Sequence, residues 1–189
     1  MEVTDIGLGV LEIIPRRHAD ARGSFAETWQ RNRFAQAGVP QDWMQDNQSF
    51  TAERGVIRGL HLQLPPFAQA KLIRVVSGAI FDVAVDARPG SVTFGTWVAR
   101  RLSADRFNQL LIPAGFAHGF MTLEDAVTVH YKVDAPYAPE AERAIAWNDP
   151  ELAIAWPLEP SQQPLLSARD AAAPLLSVVV PELRARVRA

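Results

Sequence analysis

The chain has 189 residues, 48% hydrophobic and 21% charged, with a net charge of −2 and no cysteine. This is ordinary globular composition, long enough for one mid-sized domain that buries roughly 70% of its unfolded surface without covalent staples. The lack of cysteine excludes disulfides, thiolate metal sites and cysteine nucleophiles, and the near-neutral charge gives no general attraction to nucleic acid or an anionic membrane. The opening residues, MEVTDIGLGVLEIIPRR, have no basic start followed by an apolar core, and no apolar run approaches the ~18 residues of a membrane span. A cytoplasmic protein without a signal peptide is expected.

In chain order, the first predicted element is a short helix over residues 30–37, with Phe34 facing the core and Gly38 stopping it. Residues 45–63, QDNQSFTAERGVIRGLHLQ, form the densest polar segment. Their second half, 55–63, reads as a strand, so Ile57, Gly59, His61 and Gln63 would share one face. A histidine, a glutamine and a glycine projecting inward suggest a lined cavity, although a core histidine bonded to a backbone carbonyl gives the same pattern. Arg58 has the opposite parity; it reaches that cavity only if Gly59 marks a bulge or if Arg58 enters from the rim.

Further strands are predicted over 69–76, 79–85, 93–102, 109–113 and 126–133, separated by turn-forming residues at 77–78, 88–90, 103–105 and 124–125. That spacing indicates an antiparallel sandwich or barrel. Lys71 opens the first of these strands, where a rim charge is the plain alternative to a functional one. Only two of the 19 basic residues are lysines, Lys71 and Lys132, so a compact, tunable ammonium at either position is notable. In 113–120, PAGFAHGF, a proline and two glycines bring backbone close to whatever His118 touches. Tyr131 shares a strand face with Val127 and Val129, which suits either a core tyrosine or a cavity acid. A last helix is predicted over 181–188 with Pro181 in its first turn. No repeat, low-complexity tract or linker divides residues 1–189, so a single all-β domain with a few short helices is expected.

Small all-β barrels often hold a metal through a His-x-His pair, a glutamate and a later histidine. Here the pair reads His61-Leu62-Gln63, and an amide is a poor transition-metal ligand. His61 and His118 together fall short of the three protein ligands of a catalytic zinc. No metal is therefore expected, and acid–base work in the same cavity fits better. No glycine-rich phosphate loop precedes a helix, so a Rossmann or P-loop nucleotide site is not supported.

Ten stretches in register, spanning roughly residues 15–175, carry a family resemblance. They include Asp20-Ala-Arg22-Gly-Ser-Phe25-Ala-Glu27, Gln45-Asp-Asn47-Gln-Ser49, Arg58-Gly-Leu-His61, Gln69-Ala-Lys71, Asp82-Val-Ala-Val-Asp86-Ala-Arg88, Pro113-Ala-Gly-Phe-Ala-His118-Gly-Phe, Tyr131-Lys132, Trp147-Asn-Asp149-Pro150 and Ser167-Ala-Arg169-Asp170. On these the chain resembles the dTDP-4-dehydrorhamnose 3,5-epimerase family. The resemblance implies a jelly-roll, cupin-like barrel, a C-terminal tail or helix over 176–189, and a homodimer that exchanges N-terminal strands. It implies no cofactor and a dTDP-4-keto-6-deoxy sugar as substrate.

In such a sugar C3 and C5 both lie α to the carbonyl, so each carries a removable proton. By the resemblance His61 is the base, Asp170 orients it, Lys71 stabilises the enolate oxygen and Tyr131 returns a proton on the opposite face. Arg58 and His118 match cavity-lining positions. Arg22, Phe25 and Glu27 match residues that hold the dTDP moiety across a dimer interface, helped by Gln45 and Asn47, with Glu142 and Arg169 completing the binding set. Two departures stand out: Leu62 where many members have an aromatic, and Arg169 where lysine is usual. Rival readings are a C3-only or C5-only epimerase of an antibiotic or surface sugar, a silent sugar-nucleotide-binding barrel, and a metal-dependent cupin oxygenase. The joint presence of His61, Tyr131 and Asp170 disfavours the silent barrel, and Gln63 disfavours the oxygenase.

Overall fold

The computed structural model describes residues 1–39, 42–159 and 161–187. Two antiparallel sheets face each other. One has six strands in the order β1 (Glu2–Asp5), β2 (Leu11–Ile14), β10 (Gln109–Ile112), β7 (Lys71–Ser77), β12 (Val127–Val133) and β5 (Gln45–Thr51). The other has five, ordered β13 (Glu142–Ala144), β6 (Ile57–Gln63), β11 (Phe116–Thr122), β8 (Ala79–Asp86) and β9 (Trp97–Ser103). Strands β3 (Arg17–Asp20) and β4 (Gly23–Ala26) form a separate two-stranded ribbon. Gly78, with φ +76°, turns the chain from β7 in one sheet to β8 in the other.

Alternation along these strands divides the apolar residues between the inside of the barrel and its two outer faces. Ile73, Val75 and Val129 meet Ile80, Ala84, Phe116 and Phe120 between the sheets. Behind the five-stranded sheet, Leu60, Leu62, Val83 and Val85 pack against Trp156, Leu176, Val179 and Leu183. Behind the six-stranded sheet, Ile13, Leu72 and Leu111 are covered by Phe34 of α1 (Arg31–Gln36) and by Trp29. The Gln30 side chain accepts from Arg33 N–H at 2.6 Å to start α1, and Gly38 at φ +83° follows its end. Burial of the Phe34 ring alone stabilises this cover by about 2–3 kcal/mol.

Two sequence expectations change. The strand expected over 93–102 begins at Trp97, because residues 91–96 are tied into a turn. There the Asp86 carboxylate accepts from Ser91 Oγ and Thr93 Oγ1 at 2.6 Å each, and Gly95 N–H bonds Asp86 O at 2.8 Å. The last helix is α3 (Leu176–Val187), so Pro181 lies inside it rather than in its first turn. Asp149 Oδ2 accepts Leu176 N–H at 2.7 Å and starts the helix early, which places Leu176, Val179 and Leu183 on one buried stripe. Arg188 and Ala189, the end of the expected tail, lie outside the described residues. Among the described residues no helix is long and apolar enough to cross a membrane.

Candidate active site

The site is built on a register shift. His61 pairs with His118, but Arg58 pairs with Phe120, so β6 carries one residue more than β11 between the two pairs. Gly59 sits at the shift with φ +120°, and a Cβ there would lie 2.6 Å from Gly119 Cα and 2.7 Å from His118 O. The bulge reverses the strand's parity. Ile57 therefore packs with Leu60 and Leu62 in the outer core while still bordering the cavity that His61 enters. Arg58 and His61 both line an interior cavity of about 530 Å³, so of the two routes open to Arg58, the bulge is the one observed.

His61 donates from Nε2 to Asp170 Oδ1 at 2.6 Å. Asp170 lies in α2 (Ala168–Ala171), where Ser167 Oγ caps the helix by accepting Asp170 N–H at 3.0 Å. The preceding stretch is tied beside β6 by bonds from Ile57 N to Leu165 O at 3.0 Å and from Leu165 N to Gly55 O at 3.1 Å. Burial pushes the His61 imidazole below its usual range, against the pull of Asp170, so the ring is neutral at pH 7 and can accept a proton. Lys71 and Tyr131 enter from the six-stranded sheet, across the cavity from His61. Burial brings the Lys71 ammonium down to about 8, with Asp82 and Glu142 opposing. Burial, then Glu142, pushes the Tyr131 phenol up, keeping it protonated.

His118 also lines the cavity, donating from Nε2 to the buried Asp82 at 2.9 Å. Arg58 is braced by bonds to Thr51 Oγ1 at 3.0 Å and Phe50 O at 3.2 Å. A neighbouring cleft of about 280 Å³ shares His61, Lys71 and Tyr131 with the cavity and is lined by Gln45, Asn47 and Glu142. Gln45 donates to Asn47 Oδ1 at 2.7 Å. Glu142 accepts from Tyr137 O–H at 2.6 Å and Arg169 at 2.7 Å; burial works against its charge, but these bonds hold its carboxyl below the ordinary range. Arg169, at the position where the resemblance leads to an expectation of lysine, thus has its charge engaged by Glu142. Gln63 is spent on structure, donating to Phe67 O and Pro136 O and accepting from Ala138 N–H.

Three expected binding residues are not brought to this cavity by their own chain. Arg22, Phe25 and Glu27 lie on or just after the β3–β4 ribbon, where Phe25 is 70% exposed. Arg22 pairs with Asp20 at 2.6 Å and Glu27 with Arg33 at 3.2 Å. Two residues went unnoticed as site members. Tyr137 lines the cleft and bonds Glu142, yet a tyrosine in a proline-flanked loop gives no periodic signal. Asp82, an acid amid the apolar run of β8, was visible in the string but had no partner to suggest a role. Among the described residues no group of three or more His, Cys, Asp or Glu side chains is placed to hold a metal ion.

A double-sheet barrel enclosing a neutral histidine bonded to an aspartate, with a lysine and a tyrosine on the facing wall, is equipped for acid–base chemistry on a bound carbonyl compound. The comparisons narrow this class. The sequence pattern of the family described as dTDP-4-dehydrorhamnose 3,5-epimerase matches residues 5–177, and the chain belongs to that family of isomerases. A dTDP-4-dehydrorhamnose 3,5-epimerase of Pseudomonas aeruginosa is 52% identical over 157 residues, covering 82% of this chain and 84% of the relative. The crystal structure of the Legionella pneumophila enzyme RmlC, in complex with dTDP-4-keto-L-rhamnose, is similar at a TM-score of 0.90 and 42% identity, covering 96% of each chain. NovW of Streptomyces spheroides, a 4-keto-6-deoxy sugar epimerase from the novobiocin biosynthetic gene cluster, has a TM-score of 0.90 at 40% identity, covering 96% of this chain and 90% of its own. The fold is accordingly a cupin-like jelly-roll barrel.

Proposed function

We propose that the protein epimerises C3 and C5 of dTDP-4-dehydro-6-deoxy-D-glucose, yielding dTDP-4-dehydro-L-rhamnose. The observation that carries this reading is the placement of His61 and Tyr131 on facing sheets of one cavity, with Lys71 beside them. The ring nitrogen of His61 not bonded to Asp170 takes the proton α to the C4 carbonyl. The electron pair moves onto the carbonyl oxygen, where the Lys71 ammonium balances the enolate charge. Tyr131 O–H then protonates the same carbon from the opposite face, inverting it. His61 and Tyr131 exchange their protons with solvent before the second centre reacts.

The nucleotide is assigned to the adjoining cleft. Gln45, Asn47, Tyr137 and the Glu142–Arg169 pair line or border it, and Arg58 and His118 hold the sugar side. Arg22, Phe25 and Glu27 come from the ribbon of a second copy in a homodimer. Support for this lies in the exposure of that ribbon, in the match of a planar guanidinium to a diphosphate and in the stacking capacity of Phe25. A likeness to ChmJ of Streptomyces bikiniensis, a 3'-monoepimerase, at a TM-score of 0.83 and 34% identity favours one alternative, inversion at a single carbon of a related sugar.

Proton NMR of dTDP-4-keto-6-deoxyglucose with the enzyme in D2O separates these readings. Deuterium at both C3 and C5, with the L-sugar trapped by a reductase, is expected. Label at one carbon alone selects the single-centre alternative, and no label at either carbon refutes both. Tyr131→Phe is expected to retain proton removal but lose inversion; inversion at the wild-type rate removes Tyr131 as the acid. The pH profile is also constrained. Activity needs neutral His61 and charged Lys71, so kcat/KM is expected to fall on the acid side, below the ordinary imidazole range, and again above about pH 8. A profile still rising at pH 9.5 contradicts the role of Lys71.

A further inference from the structure

Asp82 is buried completely, on an inward-facing position of β8 between Ile80 and Ala84 of the inner core. One carboxylate oxygen, Oδ2, accepts from His118 Nε2 at 2.9 Å. The other, Oδ1, is buried and has no hydrogen-bond partner among the described residues. A carboxylate removed from water is costly unless its charge is balanced, and a purely structural ion pair is stable when both oxygens are bonded. Arg100, the cross-strand neighbour of Asp82 on β9, is turned to Glu12 at 3.2 Å instead. Lys71 enters the barrel from the facing sheet and lines the same cavity as His118, the partner of Asp82.

We propose that Asp82 is a positioning residue for the reaction: beneath the cavity it clamps His118 with one oxygen and supplies, with the other, the counter-charge that holds the Lys71 ammonium where the enolate oxygen forms. The proposal rests on the enolate role of Lys71 given above. The Asp82 charge, with that of Glu142 on β13, favours the protonated form of Lys71 against burial. His61 and Arg58 on β6, His118 on β11, Tyr131 on β12, Asp170 and Arg169 on α2, and Tyr137 are the other titratable or charged groups around the same space among the described residues. Without Asp82, burial acts on Lys71 with only Glu142 opposing it, and the ammonium gives up its proton at lower pH.

The chain has only two lysines, so protein labelled with 13C at lysine Cε gives two readily assigned signals. Lys132, paired with Asp46 at 2.8 Å, serves as the internal reference. In the full-length protein the Lys71 signal is expected to titrate near 8. In Asp82→Asn its midpoint is expected to drop by about one pH unit or more, with Lys132 unmoved and the alkaline limb of kcat/KM dropping in parallel. An unchanged Lys71 midpoint overturns the proposal. A midpoint that falls while the alkaline limb stays in place refutes instead the enolate role of Lys71, a distinguishable failure. If Asp82→Asn does not fold, wild-type protein labelled with 15N-histidine provides the test. His118 must carry its proton on Nε2, the nitrogen facing Asp82, and a proton found on Nδ1 instead overturns the clamp.

Discussion

Replacing His61 with alanine is expected to slow deuterium exchange at both α carbons by about 10³–10⁴-fold, while dTDP affinity changes less than about twofold. The reasoning is local. His61 is the group in the cavity that is both neutral at pH 7 and bonded to a buried carboxylate, which fixes the ring and stabilises the imidazolium formed on proton removal. His118, the other histidine of the cavity, makes the same kind of bond to buried Asp82, and the exchange left in His61→Ala measures how far it substitutes. Asp170→Asn is expected to be milder, since the imidazole remains. Its signature is a shift of the acid limb to lower pH, because the Asp170 charge raises the proton affinity of His61 and the amide does not. Exchange in His61→Ala at even a tenth of the wild-type rate assigns the base elsewhere.

Gly59→Ala is expected to be the most damaging single-methyl change, lowering stability by about 3 kcal/mol or more, equivalent to about 6–12 °C in Tm. The added Cβ meets backbone on two sides, Gly119 Cα at 2.6 Å and His118 O at 2.7 Å, at φ +120°. Neither neighbour can rotate away, so β6 and β11 must separate at the point that aims Arg58 and His61 into the cavity. Gly90→Ala is the control. Its φ of +86° is also left-handed, but nothing lies within 4 Å, so about 1 kcal/mol of backbone strain is expected. Equal Tm losses in the two variants refute the close approach of β6 to β11 as the cause.

The contrast between β6 and β5 explains how much was legible beforehand. Alternation placed His61 on an interior face, and turn residues located β7, β8, β10 and β12 nearly to their ends. Simple alternation failed beyond Gly59 because a bulge costs one residue of parity, and a lone glycine in a strand does not say which way the parity goes. Strand β5 left no hydrophobic signal: Asn47, Ser49 and Thr51 point one way and Asp46, Gln48 and Phe50 the other, polar on both faces. Its identity as a strand comes from pairing with β12 along its whole length. Asp170 was available only through the family resemblance, since no local pattern joins it to a histidine 109 residues away. Asp82, though part of a resemblance stretch, and Tyr137 acquire a role only through their three-dimensional partners.

The distance along the chain between His61 and Asp170 bears on synthesis. The barrel strands are all made by Ala144, whereas Asp170 and its capping Ser167 follow in a short segment that lies against the start of β6. During translation the sheets can therefore close around His61, Lys71 and Tyr131 before the carboxylate that completes the dyad has been added. In that interval the imidazole is present without the carboxylate that fixes its ring and raises its proton affinity. The order of the chain thus separates the making of the cavity from the arrival of the carboxylate that orients its histidine, two events that are one in the folded protein.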